Sequence, residues 1–140
     1  MSGPALRKLH SHKSIHDGAV TEGRDIMTLL EDVYKKKQEK HAKIAAAALI
    51  EHWETRILAH ADAEEEGLYL DIKKQRPDLQ ETITKLIRDH ELIRILVKET
   101  KTMLDDSSVT EEVIDRFKAV YVLVQLHSRE EENYLPLEHH

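Results

Sequence analysis

Two short segments of the sequence pair a histidine with a glutamate four residues later. His60 precedes Glu64 in the first segment, His127 precedes Glu131 in the second, and another glutamate directly follows each carboxylate. Residues four apart lie on the same face of an α-helix, so each segment would present an imidazole beside a carboxylate. Such a pair is half of a metal site, and two pairs that face each other in a helical bundle would make a whole one.

Two further histidines, His16 and His90, interrupt stripes of aliphatic residues that have helical spacing. His16 lies early in its predicted helix and His60 lies late in the next, and His90 and His127 are related in the same way. In antiparallel neighbouring helices, such positions come to the same level of the bundle. We therefore expect four histidines and two glutamates to meet in one layer, where a buried carboxylate must be protonated, paired or bound to a cation.

His12 lies one turn before His16 on the same stripe and is a seventh candidate ligand. Supporting or packing positions are expected for three neighbouring residues. Glu65 and Glu132 follow the candidate carboxylates but face partly outward, and His52 lies off the inward stripe of its helix. Three tyrosines are further candidates to hydrogen-bond to ligands: Tyr69, Tyr121 and Tyr134.

The helices that must position these residues follow from the same periodicity. Apolar residues recur in steps of three and four, which predicts an all-α fold, an up-down-up-down four-helix bundle with short connections. Each half of the chain has one helix with an inward histidine and one with His-x-x-x-Glu-Glu, which suggests a pseudo-two-fold internal repeat of about 70 residues. The predicted helices span about residues 5–36, 40–66, 77–104 and 109–134.

Local signals refine this prediction at several positions. Gly67 is expected to cap the end of the second helix, and Pro77 suits the first turn of the third. Ser108 with Glu111 three residues later is typical of a capping box at the start of the fourth helix. Gly23 lies on the inward stripe of the first helix, where a close approach of a second helix would explain it.

The composition narrows the class of protein. The chain has 140 residues, no cysteine and a net charge of −6 with acidic and basic residues interspersed, which argues against a nucleic-acid partner, disulfides and thiolate metal clusters. No apolar run reaches the ~18 residues of a membrane span, and no signal peptide is recognised, so we expect a cytoplasmic protein with no membrane partner. One domain is predicted over residues 1–136, and residues 137–140 are interpreted as the start of a purification tag.

The donor set indicates which ions could be held. Nitrogen and oxygen ligands without sulfur suit iron, manganese or zinc. Six or more ligands exceed the requirement of tetrahedral zinc. A dinuclear site in which Glu64 and Glu131 each bridge two ions uses the set better, and an open position on one ion would accept a small molecule.

The doubled motif with its two additional histidines resembles the hemerythrin-like, HHE cation-binding family, and the resemblance extends from His16 to Pro136. It implies a non-haem di-iron centre with two iron ions (Fe2+ or Fe3+), joined by an oxo or hydroxo bridge. The small-molecule partner would be dioxygen or a similar ligand, in sensing, storage or scavenging. The ligands implied by the resemblance are His16, His60, Glu64, His90, His127 and Glu131.

The chain departs from the animal oxygen carriers of that family at two positions. Their third helix has a second histidine one turn after the first, where this chain has Arg94. A fifth histidine would have to come from elsewhere, and His12 is the best candidate. The carboxylate of the fourth helix is Glu131 rather than an aspartate, which lengthens its reach.

Two other classes of function compete with a ligand-binding metalloprotein. One is a di-iron redox enzyme that acts on peroxide or nitric oxide. A ferritin-like oxidase is disfavoured, because its Glu-x-x-His motif is absent: Ile57, Ile87 and Val124 stand three residues before the histidines. The other is a metal-free signalling bundle, which needs an exposed histidine, whereas the histidines here are predicted to face inward.

Overall fold

The computed structural model describes residues 9–106 and 108–136, with side chains described from residue 14 onward. All regular structure in these residues is helical, and they include no strand. Helix α1 packs against the second and fourth helices, and the third packs against the fourth and the second, which makes a helical bundle. The four long helices are α1 (Leu9–Lys35), α2 (residues 39–75), α3 (Gln80–Asp106) and α4 (Glu111–Tyr134).

Helix α2 is longer than the sequence analysis predicted, and Gly67 is not its cap. The chain stays helical from residue 39 to residue 75 through five consecutive segments, two of which are π-helical. Leu68, Tyr69 and Ile72 are buried beyond the predicted end. Because these side chains prolong the inward stripe, their burial outweighs the modest helix-breaking tendency of one glycine. The five segments are Glu39–His52, Trp53–Leu58 (π), Ala59–Ala63, Glu64–Leu68 (π) and Tyr69–Gln75.

The starts of the last two helices differ in how well the sequence predicted them. Pro77 opens a 3-10 turn, Pro77–Leu79, that leads directly into α3, as its preference for the first turn indicates. The predicted capping box at Ser108 is wrong. Thr110 is the N-cap of α4, has an extended backbone, and its hydroxyl accepts a hydrogen bond from the Val113 N–H at 3.2 Å.

The predicted close approach at Gly23 is confirmed. A Cβ atom at this position would lie 2.6 Å from Cη2 of Trp53, which is closer than van der Waals contact allows. Trp53 is fully buried between α1 and the other helices. The missing side chain of Gly23 therefore makes room for the largest residue of the core.

The apolar core consists of two clusters at different levels of the bundle. The larger includes Leu30, Leu49, Trp53 and Phe117, and the smaller contains Leu68, Tyr69, Ile72, Ile83, Leu86 and Leu135. Four buried side chains lie between them along α2, α3 and α4: Glu64, His90, His127 and Glu131. None of the helices in the described part of the chain is long and apolar enough to cross a membrane.

Candidate metal centre

Helix α2 contributes a histidine from between its two π-helical segments and a glutamate from the start of the second. His60 lies in the short α-helical segment Ala59–Ala63, and Glu64 begins the second π segment. A π turn accommodates one extra residue and is frequent at functional sites. Around the wider turns, residues spaced four apart stay on the inward face: Leu49 and Trp53 before the first π segment, and Glu64, Leu68 and Ile72 from the second, are all buried.

The other candidate ligands come from the remaining helices at the same level. His16 on α1, His90 on α3, and His127 and Glu131 on α4 are all buried. Six of the seven residues singled out in the sequence are thus brought together in one layer, called here the histidine–glutamate layer. The seventh, His12, lies in α1, but its side chain is outside the described residues.

The carboxylate of Glu64 faces a different pair of histidines with each oxygen. Its Oε2 lies 3.3 Å from Nε2 of His60 and 3.9 Å from Nε2 of His16. Its Oε1 lies 3.1 Å from Nε2 of His90 and 4.0 Å from Nε2 of His127. Glu64 is 1% exposed, so its charge must be compensated by neighbours in this layer.

Glu131 repeats this arrangement from the opposite helix. Its Oε1 lies 3.1 Å from Nε2 of His16, and its Oε2 lies 3.4 Å from Nε2 of His127. The six side chains therefore fall into two groups of nitrogen and oxygen donors. One is the His16–His60 position and the other is the His90–His127 position. Glu64 belongs to both groups, and Glu131 belongs to the second but also faces His16 with one oxygen.

A set of outer carboxylates faces the far nitrogens of the histidines. Nδ1 of His90 lies 2.7 Å from Glu65, Nδ1 of His127 lies 3.1 Å from Asp89, and Nδ1 of His16 lies 3.5 Å from Glu132. At His90 and His127 the carboxylate accepts a hydrogen bond from Nδ1, which holds the ring tautomer that leaves a lone pair on Nε2.

Sequence reasoning anticipated supporting positions for Glu65 and Glu132 but missed Asp89. Asp89 directly precedes His90, yet it supports His127 on a different helix. Its position next to a candidate ligand was a signal, but only the packing of α3 on α4 shows which imidazole it reaches.

Arg94, which departs from the carrier pattern, has an electrostatic role here. Its guanidinium donates to Glu65 at 2.9 Å and to Asp62 at 2.7 Å. Burial lowers the pKa of Arg94, but the hydrogen bonds to Asp62 and Glu65 outweigh burial and raise it. Arg94 therefore stays charged and holds Glu65 against His90.

Tyr69 is the additional residue in direct contact with the layer. Its hydroxyl donates to Oε2 of Glu131 and lies 3.4 Å from Oε1 of Glu64 and 3.5 Å from Nε2 of His127. Burial raises the pKa of Tyr69 far above its ordinary value, and the charges of Glu131 and Glu64 raise it further. The sequence had indicated this tyrosine only as one of three candidates.

The other two tyrosines and His52 are not part of the layer's hydrogen bonding. Tyr121 accepts a hydrogen bond from the Gln125 amide at 3.2 Å, and Tyr134 is 61% exposed. His52 is buried, and its Nε2 lies 2.7 Å from the carbonyl oxygen of Ala19. His52 thus joins α2 to α1, which agrees with the packing role expected for it.

Electrostatics within the layer favour a cation. Nε2 of His90 and Nε2 of His127 lie 2.9 Å apart, while a carboxylate faces Nδ1 of each ring. If both Nδ1 atoms keep their protons, two lone pairs point at each other, and a proton or a metal ion must lie between them. Burial lowers the pKa of His127, but hydrogen bonds to Asp89, Glu131 and Glu64 raise it well above the ordinary value.

The donor chemistry fits a transition-metal site. Four side chains, Glu64, His90, His127 and Glu131, offer ligand atoms within 4.8 Å of one another, and His16, His60 and Glu64 form a second such group. Imidazole and carboxylate without thiolate suit iron, manganese or zinc.

A small cavity of about 20 Å3 touches the layer on one side. The four histidines and Glu64 line it on the side of the layer, and Arg56 and Ser128 also contact it. The rest of its wall is apolar: Ile15, Ala19, Ile57, Ile93 and Val124. A cavity needs roughly 10–15 Å3 to hold one water molecule, so this space suits a ligand of about that size.

Comparison with known proteins gives one match. The model of the family described as hemerythrin HHE cation binding domain matches residues 10–137 of the chain. No curated protein and no solved structure matches it.

Proposed function

Because the chain belongs to the hemerythrin HHE cation-binding domain family, we propose that it binds two iron ions in the histidine–glutamate layer and takes up dioxygen or a similar small ligand beside them. His16 and His60 would hold one ion, His90 and His127 the other, and Glu64 and Glu131 would bridge the two. His12 remains a proposed further ligand of the His16–His60 position. The helices would run in alternating directions, which brings these ligands to one level.

One observation carries this proposal. Each oxygen of the buried Glu64 carboxylate faces a different histidine pair, at 3.3 Å from His60 and 3.1 Å from His90. A carboxylate that served one ion would have no need of a second imidazole pair on its other oxygen. The chemistry that the ions supply is reversible exchange of electrons with a small ligand.

The residues around the ions have separate tasks in this function. Ile57, Ile93 and Val124 form apolar walls that limit the cavity to a small molecule. Glu65 and Asp89 hold His90 and His127 in one tautomer. The hydroxyl of Tyr69 closes the layer on the side opposite the cavity.

The test is anaerobic loading of tag-free protein with Fe2+, followed by metal analysis and a visible spectrum before and after air is admitted. We expect two irons per chain and an absorption band that appears with air and disappears when dioxygen is removed. A band that never reverses would favour a redox enzyme acting on peroxide or nitric oxide. Failure to bind iron, or binding of one zinc ion in preference, would contradict the proposed metal centre.

A further inference from the structure

The side of the layer opposite the cavity places a fifth oxygen or nitrogen donor beside the His90–His127 position. The phenol oxygen of Tyr69 contacts Oε2 of Glu131, and it lies 3.4 Å from Oε1 of Glu64 and 3.5 Å from Nε2 of His127. These three atoms are the ones assigned to the second ion. An ion within bonding distance of all three would therefore lie next to the phenol oxygen.

Packing holds the tyrosine ring in this orientation. Tyr69 is 1% exposed. Its ring is stacked on the imidazole of His90, with centroids 5.6 Å apart and planes at 9°, and Leu68, Ile72 and Leu86 belong to the same apolar cluster. The hydroxyl therefore faces the layer and not solvent.

A hydrogen-bond donor alone would not account for this placement. One O–H can donate to one acceptor at a time, whereas Tyr69 faces two carboxylate oxygens and an imidazole nitrogen. Those anionic neighbours favour the protonated phenol only while no cation lies among them. A trivalent ion would reverse the local field and favour the phenolate.

We propose that Tyr69 is a ligand of the ion held by His90 and His127, bound through its phenolate oxygen. The inference rests on the proposed function. On binding of ferric iron, the phenolic O–H bond breaks, the oxygen keeps the electron pair as an iron ligand, and the proton leaves to solvent. The His90–His127 position then has one more protein donor than histidines and bridging glutamates supply.

The test is resonance Raman and visible spectroscopy of the ferric protein, with tyrosine unlabelled or ring-deuterated, for wild type, Tyr69→Phe and Tyr121→Phe. Tyr121 is a matched control because it is half-buried and hydrogen-bonded within α4. We expect a phenolate-to-iron charge-transfer band whose ring modes shift on deuteration. Both signals should be lost in Tyr69→Phe and kept in Tyr121→Phe, with iron still bound in each.

Metal analysis of the same samples separates this inference from the proposed function. Two irons per chain in wild type without tyrosinate modes would overturn the role of Tyr69 and leave the di-iron site standing. Modes that persist in Tyr69→Phe would overturn it as well. Wild type that binds no iron would overturn both. The wild-type spectrum alone decides the matter if Tyr69→Phe does not fold.

Discussion

The histidine–glutamate layer has two faces that differ in what they offer an approaching molecule. The cavity face has apolar walls, among them Ile57, Ile93 and Val124, around a space of about 20 Å3. The tyrosine face is filled by Tyr69, whose hydroxyl reaches the buried carboxylates of Glu131 and Glu64. Both faces are formed by the inward-facing residues of the same helices. The chemical difference between the two faces therefore comes from a few side chains and not from a different architecture.

Because the two faces differ chemically, we expect them to have different roles in the site. An apolar pocket of water size admits a small molecule and resists charged ones. A buried phenol among carboxylates instead completes the polar layer and leaves no space. Uptake of a ligand is therefore expected from the cavity face, and retention of the ions is expected to depend more on the tyrosine face.

The largest expected effect comes from removing the Glu64 carboxylate, which lies at the centre of the layer between the two faces. Glu64→Ala deletes the carboxylate that faces all four histidines, and we expect loss of both irons. Measured by metal analysis after anaerobic loading and desalting, the retained iron should fall to near background. Glu66→Ala, an exposed neighbour, should keep wild-type iron; equal iron in the two variants would contradict the shared role of Glu64.

Asp89→Asn tests the support of the layer from outside. Asp89 accepts from Nδ1 of His127, and loss of such a partner typically costs about 10- to 100-fold in metal affinity. Competition titrations with Zn2+ should show this weakening. Asp115→Asn, exposed on α4, is the control, and identical affinities for the two variants would show that Asp89 does not support the site.

Wild type and Asp89→Asn should also differ in how the stability of the metal-free protein depends on pH. The raised pKa of His127 means that metal-free protein holds this proton above the ordinary pKa of histidine. The resulting stability is complete below that ordinary value and is lost as pH rises through the raised pKa. Thermal unfolding of metal-free protein should show this decline, and Asp89→Asn should flatten it. An unchanged slope would exclude the hydrogen bond as its cause.

Substitution of two glycines by alanine, one on α1 and one on α2, should change the stability of the fold in opposite directions. Gly23→Ala would place a Cβ 2.6 Å from Trp53, and overpacking of this kind costs about 1–3 kcal/mol. At Gly67 nothing lies within 4 Å of an added Cβ, so Gly67→Ala should stabilise by up to about 1 kcal/mol through helix propensity. Denaturant unfolding of both variants measures the difference, and a loss of stability at Gly67 would contradict the open space there.

The smallest effect is expected from reshaping the cavity face. Val124→Ile adds one methylene toward the cavity, and we expect dioxygen binding to the Fe2+ protein to weaken about tenfold, equivalent to ~1.4 kcal/mol. Iron content should not change. Dioxygen titration of the Fe2+ protein, followed in the visible spectrum, checks this. Unchanged affinity in both Val124→Ile and Val124→Ala would place the ligand elsewhere.

Periodicity alone was enough to predict the helices and the inward residues. Steps of three and four placed His16, Glu64, His90 and His127 on buried faces and His60 on a partly buried one, because helical geometry links spacing to orientation without reference to a partner. The predicted end of α2 at Gly67 was wrong for the same local reason. A glycine signals a cap, but the burial of Tyr69 and Ile72 against α3 is a tertiary effect that outweighs it.

The sequence by itself determined which residue types lie in the layer and that they form two half-sites. Only the tertiary structure decided which atoms meet: that the oxygens of Glu64 divide between two histidine pairs, that Asp89 reaches His127 across helices, and that Tyr69 rather than Tyr121 faces the carboxylates. Spacing along one helix fixes direction within that helix. The distance between side chains on different helices depends on how their surfaces pack, and no single helix encodes that.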